Sequence, residues 1–166
     1  TVRFRTIIAR ELGVPLRSVE GYVGGEHGEA AVLLWSTVKI DGIPLEEYLE
    51  EMGKTLNKAN VENYVKEISR HVIRATGGTR WGPAGAFIEI IRGLILNTGR
   101  LLSFSLLRKY DDIPEPVYVT VPAKISKSPG PDIWNDLTEE EKQGIINAAK
   151  AIYETYKRAK EVTGIK

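Results

Sequence analysis

The stretch Gly24-Gly25-Glu26-His27-Gly28-Glu29 sets one of only two histidines between glycines and carboxylates. Imidazole exchanges protons near neutral pH more readily than other side chains. Glycines on both sides clear room for a substrate to approach the ring. The plain alternative is a loop histidine held for shape alone, and the flanking glycines with Glu26 and Glu29 argue against it. His71 is the contrast. It lies in a helical pattern between Arg70 and Val72, without glycines or a partner nearby in sequence, and reads as structural or solvated. No third ligand at zinc-like spacing joins the two histidines, so no metal centre is expected.

Arg3 and Arg5 flank Phe4 near the start of the chain. A pair of solvated helix cations is the ordinary reading. The sharper one is that a guanidinium faces a cleft and grips a planar anion through two parallel hydrogen bonds, which lysine cannot reproduce. Gly77-Gly78-Thr79-Arg80-Trp81-Gly82-Pro83 stops one helix and starts another at Pro83. It also sets the Thr79 hydroxyl and free backbone amides where a polar ligand could lie. Neither phosphate-binding glycine pattern, G-x-x-x-x-G-K-[ST] or G-x-G-x-x-G, occurs in the chain.

The elements that must position these residues follow from periodicity. Ile7, Ile8 and Leu12 predict a helix over 2–12, stopped by Gly13 and Pro15. Short strands are expected at 19–23, 31–34 and 37–40, with Asp41-Gly42 as a turn. Pro44 opens a short helix with Glu46 and Glu47 near its positive end. Val61, Tyr64, Val65, Ile68, Val72 and Ile73 predict a helix over 58–75. The next, over 83–97, is apolar nearly all round and is expected to be buried or to lie at a subunit contact. Leu102, Phe104 and Leu106 alternate with serines, and Val117, Val119 and Val121 with Tyr118 and Thr120, so two strands flank a loop at 111–116. Thr138 and Glu141 form a capping box ahead of a last helix that runs through Tyr156. Strands clustered between helices, without a βαβ rhythm, predict an α+β domain with antiparallel pairing.

Composition excludes several function classes. The 166 residues suffice for one domain, or one half of a two-domain enzyme. Lys and Arg number 23 against 22 Asp and Glu, interleaved, which argues against nucleic acid as a partner. Apolar runs are too short to span a bilayer, no leader pattern opens the chain, and a cytoplasmic location is expected. The chain has no cysteine, which removes disulfides, thiolate catalysis and thiolate metal sites. One methionine beside many charged residues leans toward a heat-adapted source.

Taken in order, these residues resemble one family. Thr1-Val2-Arg3-Phe4-Arg5 is similar to the D-[ST]-x-R-[FL]-R signature of lactate and malate dehydrogenases, with its first residue missing. Gly25-Glu26-His27-Gly28-Glu29 matches the G-E-H-G-[DE] loop. Val32-Leu33-Leu34-Trp35-Ser36 resembles V-P-x-W-S, and Lys39 to Leu45 resembles N-[IV]-x-G-[VI]-P-L. Thr79 falls where the family has a small or hydroxyl residue near the nicotinamide. Val119 to Ile125 and Leu137 to Glu141 complete the series.

The resemblance implies the C-terminal substrate-binding and catalytic domain of a malate dehydrogenase, spanning 1–166 and leaning toward the archaeal enzymes. A lactate dehydrogenase, or a domain serving only oligomerisation, is the alternative. His27 would exchange the proton of a 2-hydroxy dicarboxylic acid, Arg3 would hold its carboxylate, and Thr79 would line the pocket beside NAD or NADP. Arg5 resembles an arginine that sits at a subunit interface, and Glu20 stands where allosteric relatives carry a histidine, which argues against sugar-phosphate activation. A dimer or tetramer is implied. The aspartate that orients the histidine would fall just before Thr1, and the dinucleotide-binding Rossmann domain would lie outside these residues. A fragment, inactive alone, is therefore expected.

Overall fold

A computed structural model describes residues 1–164. The chain opens with helix α1 (Val2–Leu12), ended by Gly13 in the left-handed conformation, φ 66°. Strands β1 (Val19–Gly25), β2 (Ala31–Ile40) and β3 (Ile43–Pro44) follow, then helices α2 (Leu45–Glu51), α3 (Lys58–Thr76) and α4 (Trp81–Leu96). Strands β4 (Arg100–Arg108), β5 (Val117–Ile125) and β6 (Pro129–Asp132) lead to the closing helix α5 (Glu139–Thr163). The main sheet runs β3-β2-β1-β5-β4, with β6 paired to β5, and every pairing is antiparallel. This is the expected α+β class.

Two cores sit against this sheet. Phe4, Ile7, Ile8 and Leu12 of α1 join Val38, Ile40 and Val61 in one. Ile145 and Ala149 of α5 join Leu34, Val119 and Val121 in the other. Asp41 and Gly42 both have positive φ, 49° and 86°, and close a two-residue hairpin on the pair Ile40 and Ile43. Pro44 is the N-cap of α2 rather than a residue of its first turn.

The structure corrects the sequence reading at further places. Residues 31–40 form one strand, not two, because β2 bulges in its middle. Between the pairs Tyr22–Leu34 and Glu20–Lys39, only Gly21 of β1 faces Trp35, Ser36, Thr37 and Val38. Strand β6 was not anticipated. Helix α4 starts at Trp81, so Pro83 lies inside the first turn, where its missing N–H is unneeded anyway. Of the two readings of α4, burial within the chain is the one overturned. Only Gly93 is buried, while Trp81, Phe87 and Ile95 are 90%, 64% and 75% exposed.

Candidate active site

The loop carrying His27 springs from the seam of the sheet. Its base, Gly25, pairs with Ala31 of β2 and with Thr120 of β5. Gly25 has φ +79°, and a Cβ there would come within 2.6 Å of the Ala30 carbonyl oxygen, so only glycine fits. The Glu26 N–H donates to the Ala30 carbonyl and the Ala31 N–H to that of Gly28, each at 3.3 Å. Helix α5 supports the base from behind: a Cβ at Gly24 would meet Ile145 Cδ1 at 3.0 Å, and one at Gly25 would meet Ala148 at 3.2 Å. His27 itself is exposed. Nothing in the described fold turns its ring one way or the other.

Arg3 projects from α1, half-buried, and donates from Nη1 to Ser69 Oγ of α3 at 3.0 Å. The next residue of α3, Arg70, pairs with Glu29 of the His27 loop. One stretch of α3 therefore ties down both the arginine and the loop. Thr79 lies between α3 and α4 and lines a cleft of about 330 Å³ together with Arg3, Thr76, Gly78, Arg80 and Trp81. The structure thus brings Arg3 and Thr79 into one cleft, whose lining does not include His27. Arg5 is occupied differently: Nε donates to the Gly21 carbonyl at 2.8 Å, and the guanidinium carbon lies 4.8 Å from the Tyr22 ring centre. His71 is exposed, its Nδ1 3.3 Å from the Glu67 carbonyl oxygen.

Residues 1–163 match the family described as lactate/malate dehydrogenase, alpha/beta C-terminal domain. The chain belongs to this family. It is 43% identical over 157 residues to a malate dehydrogenase of Sulfolobus acidocaldarius, covering 95% of this chain and 49% of that protein. A malate dehydrogenase of Sulfurisphaera tokodaii is 42% identical over the same shares. An L-lactate dehydrogenase of Thermus aquaticus is 26% identical, over 92% of this chain and 50% of that protein. The chain spans about half the length of these curated relatives. Its fold is shared with MGS-M5, a lactate dehydrogenase from a deep-sea metagenome library, at a TM-score of 0.84 and 23% identity, over 93% of this chain and 50% of that one.

In this lactate/malate dehydrogenase domain, two contacts are not legible in the sequence. Ser69 carries no motif, and only the fold shows it holding Arg3. Glu141 was legible as a capping residue, and it does cap: its Oε2 accepts from the Thr138 N–H at 3.1 Å. It also accepts from the Ser36 N–H at 2.9 Å and the Ser36 hydroxyl at 2.6 Å, filling the gap that the β2 bulge opens. Two of the motifs that carried the resemblance, one ending in Ser36 and one in Glu141, are joined by these bonds.

Proposed function

We propose that this domain is the catalytic and substrate-binding half of a malate dehydrogenase, interconverting malate and oxaloacetate. The observation that carries the reading is the shared support of Arg3 and the His27 loop by Ser69 and Arg70 of α3, with Thr79 in the arginine's own cleft. Arg3 binds the substrate carboxylate. One Nη is spent on Ser69, and the rest of the fork is free for a planar anion. His27 takes the proton of the C2 hydroxyl as the alcohol is oxidised and returns it to the carbonyl oxygen in reverse. Its exposure fits a residue that must meet both substrate and a covering domain. The higher identity to malate dehydrogenases than to the lactate enzyme supports the dicarboxylic substrate.

NAD or NADP supplies the hydride acceptor when bound. The residues present fit the nicotinamide side of such a group: Thr79 lines the cleft, and a Cβ built on Gly78 or Gly82 meets nothing, leaving an open wall for a flat ring. The pyrophosphate and ribose ends require a glycine-rich loop and an acid of the Rossmann type, which we assign to a domain outside these 166 residues. We assign the same polypeptide to the cytoplasm and to a homo-oligomer, dimer or tetramer. The bare α4 face supports the assembly. A lactate dehydrogenase is the second reading, supported by the 26% identity to the Thermus aquaticus L-lactate dehydrogenase.

The test is an assay of the natural full-length polypeptide with oxaloacetate and pyruvate, against NADH and NADPH. Oxaloacetate reduction should dominate. His27→Asn should lower it by about 10²- to 10⁴-fold, the usual weight of a positioned proton-transfer group, with the unfolding temperature held. A native protein that reduces neither acid, or a His27→Asn variant of full activity, would sink the reading.

A further inference from the structure

Strand β4 ends the main sheet, and among the described residues it pairs with β5 alone. Its residues match β5 one to one, from Arg100 opposite Ile125 to Arg108 opposite Val117, without a bulge. The outer edge is therefore long and regular. It lacks the usual guards against further pairing, with no proline, no bulge and no charge between its two terminal arginines. Five of its nine residues are leucine or phenylalanine, yet none of the nine is buried, and Leu107 is 56% exposed.

The residue order along this edge is symmetric. Arg100-Leu101-Leu102-Ser103-Phe104-Ser105-Leu106-Leu107-Arg108 reads the same in both directions. A second copy laid antiparallel about Phe104 sets like on like: Phe104 on Phe104, Ser103 on Ser105, Leu102 on Leu106 and Leu101 on Leu107. A slip of one residue would set Phe104 against Ser105 and Leu101 against Arg108, so the pattern favours one register. The symmetric register also brings Arg100 opposite Arg108 of the second copy. Each arrives with its own carboxylate: Glu89 Oε2 lies 2.7 Å from Arg100 Nη1, and Asp132 pairs with Arg108. The two ends thus meet as ion pairs with little net charge.

We propose that the outer edge of β4 is an interface with a second copy of this chain, the two strands joined antiparallel about a two-fold axis at Phe104. Such a contact uses the same residues on both copies and closes as a dimer. The sequence symmetry selects the occupant, because a strand from another protein requires no palindrome to pair here. The inference rests on the homo-oligomer reading and gives that assembly one specific contact. Neither the α4 face nor the chemistry at His27 enters it.

The experiment measures self-association of the natural full-length polypeptide by analytical ultracentrifugation. Leu107→Lys should weaken the contact by about tenfold or more, because each dimer loses two apolar pairs. Adding Leu101→Glu to the same chain should restore it, since each lysine then faces a glutamate of the other copy. Within one copy the two positions lie about 20 Å apart along the strand and cannot pair. Mild oxidation should link Phe104→Cys to its own counterpart, the Cα atoms lying about 5 Å apart in this register, and should leave Leu101→Cys unlinked. The 166 residues contain no cysteine of their own, and mass spectrometry of the linked peptide identifies the position joined. A parent protein that stays monomeric overturns the proposal together with the homo-oligomer reading. An assembled parent that Leu107→Lys does not weaken, or whose Phe104→Cys variant does not link, overturns the β4 contact and leaves the assembly to another face. So does a weakening that Leu101→Glu fails to restore. None of these measurements involves turnover, so they decide the contact whether or not the protein reduces a 2-oxo acid.

Discussion

Helix α5 meets the sheet at successive close contacts, with Gly144 over Val32, Ile145 against Gly24 and Ala148 against Gly25. Helix α4 meets it where Gly93 lies over Ile125, and most of its remaining apolar surface faces outward. Both helices are long, and α4 is the more apolar of the two. Hydrophobicity therefore does not decide which helix is held. Interdigitation does. Small residues on α5 let it approach the hairpin that carries His27, and Glu141 anchors its first turn to Ser36. The proposed site straddles this division. Arg3 and the base of the His27 loop belong to the well-packed body, while Thr79 sits at the root of the lightly held α4.

Glu141→Ala should strike the body hardest. Glu141 is 8% exposed, and its carboxylate accepts from the Ser36 N–H, the Ser36 hydroxyl and the Thr138 N–H. Removing it leaves the Ser36 N–H and hydroxyl without this charged acceptor and uncaps α5, at a cost of about 3 kcal/mol. Urea unfolding should show this as a global loss, with the transition still cooperative. A loss under about 1 kcal/mol would mean that water replaces the carboxylate and the bulge is held by Thr37 alone. Thr37 is the other support, accepting from the Tyr22 N–H at 3.0 Å and donating to the Leu34 carbonyl at 2.6 Å.

Gly93→Ala addresses the other region. A Cβ there would come within 2.3 Å of Ile125 Cγ2, and Ile125 is buried with nowhere to retreat. Overpacking of this kind costs about 1–3 kcal/mol. Because α4 has little else holding it to the sheet, the damage should stay local. Hydrogen exchange should speed up along α4 and hardly change along α5. Exchange rising equally in both helices would show that the two regions are one cooperative unit and would erase the comparison. The Ile125→Ala background should relieve the added cost of Gly93→Ala, which a double-mutant cycle reads directly.

What the sequence disclosed and what it withheld divide along similar lines. The bounds of α1 follow from Ile7, Ile8, Leu12 and Gly13, all local. His27 stands out by residue type and by its glycine setting, whereas Arg3 and Thr79 become candidates only through the family resemblance. The β2 bulge stays hidden because its stabilising acceptor lies 105 residues away, on Glu141, and no local pattern announces such a partner. Strand β6 is built on Pro129-Gly130-Pro131-Asp132, residues that disfavour strands, and forms only because β5 offers an edge for it. The apolar pattern of α4 is plain to read, but periodicity records which residues are apolar and not what covers them. The tie from Arg3 to Ser69 is of the same kind, a contact between helices that their separate sequences do not contain.

The smallest expected effect sharpens the contrast from inside the body. Tyr110 is buried against Trp134, ring centres 5.8 Å apart, and its hydroxyl has no hydrogen-bond partner among the described residues. Burial pushes its phenol above the ordinary range, and the charge of Arg108 offsets part of that rise. In the unfolded chain the phenol ionises near pH 10. Its buried counterpart keeps the proton to higher pH, so the neutral form is the one folding favours. The associated stability is present below the unfolded value and is lost as pH rises from there through the folded one. Tyr110→Phe removes the unpartnered hydroxyl along with the ionisation. It should leave stability at pH 7 within about 0.5 kcal/mol of the parent, or slightly above it, and flatten the decline above pH 10. A clear loss at pH 7 would mean that the hydroxyl is bonded in solution, with Arg108 its donor, and that the ion pair of Arg108 with Asp132 extends to Tyr110.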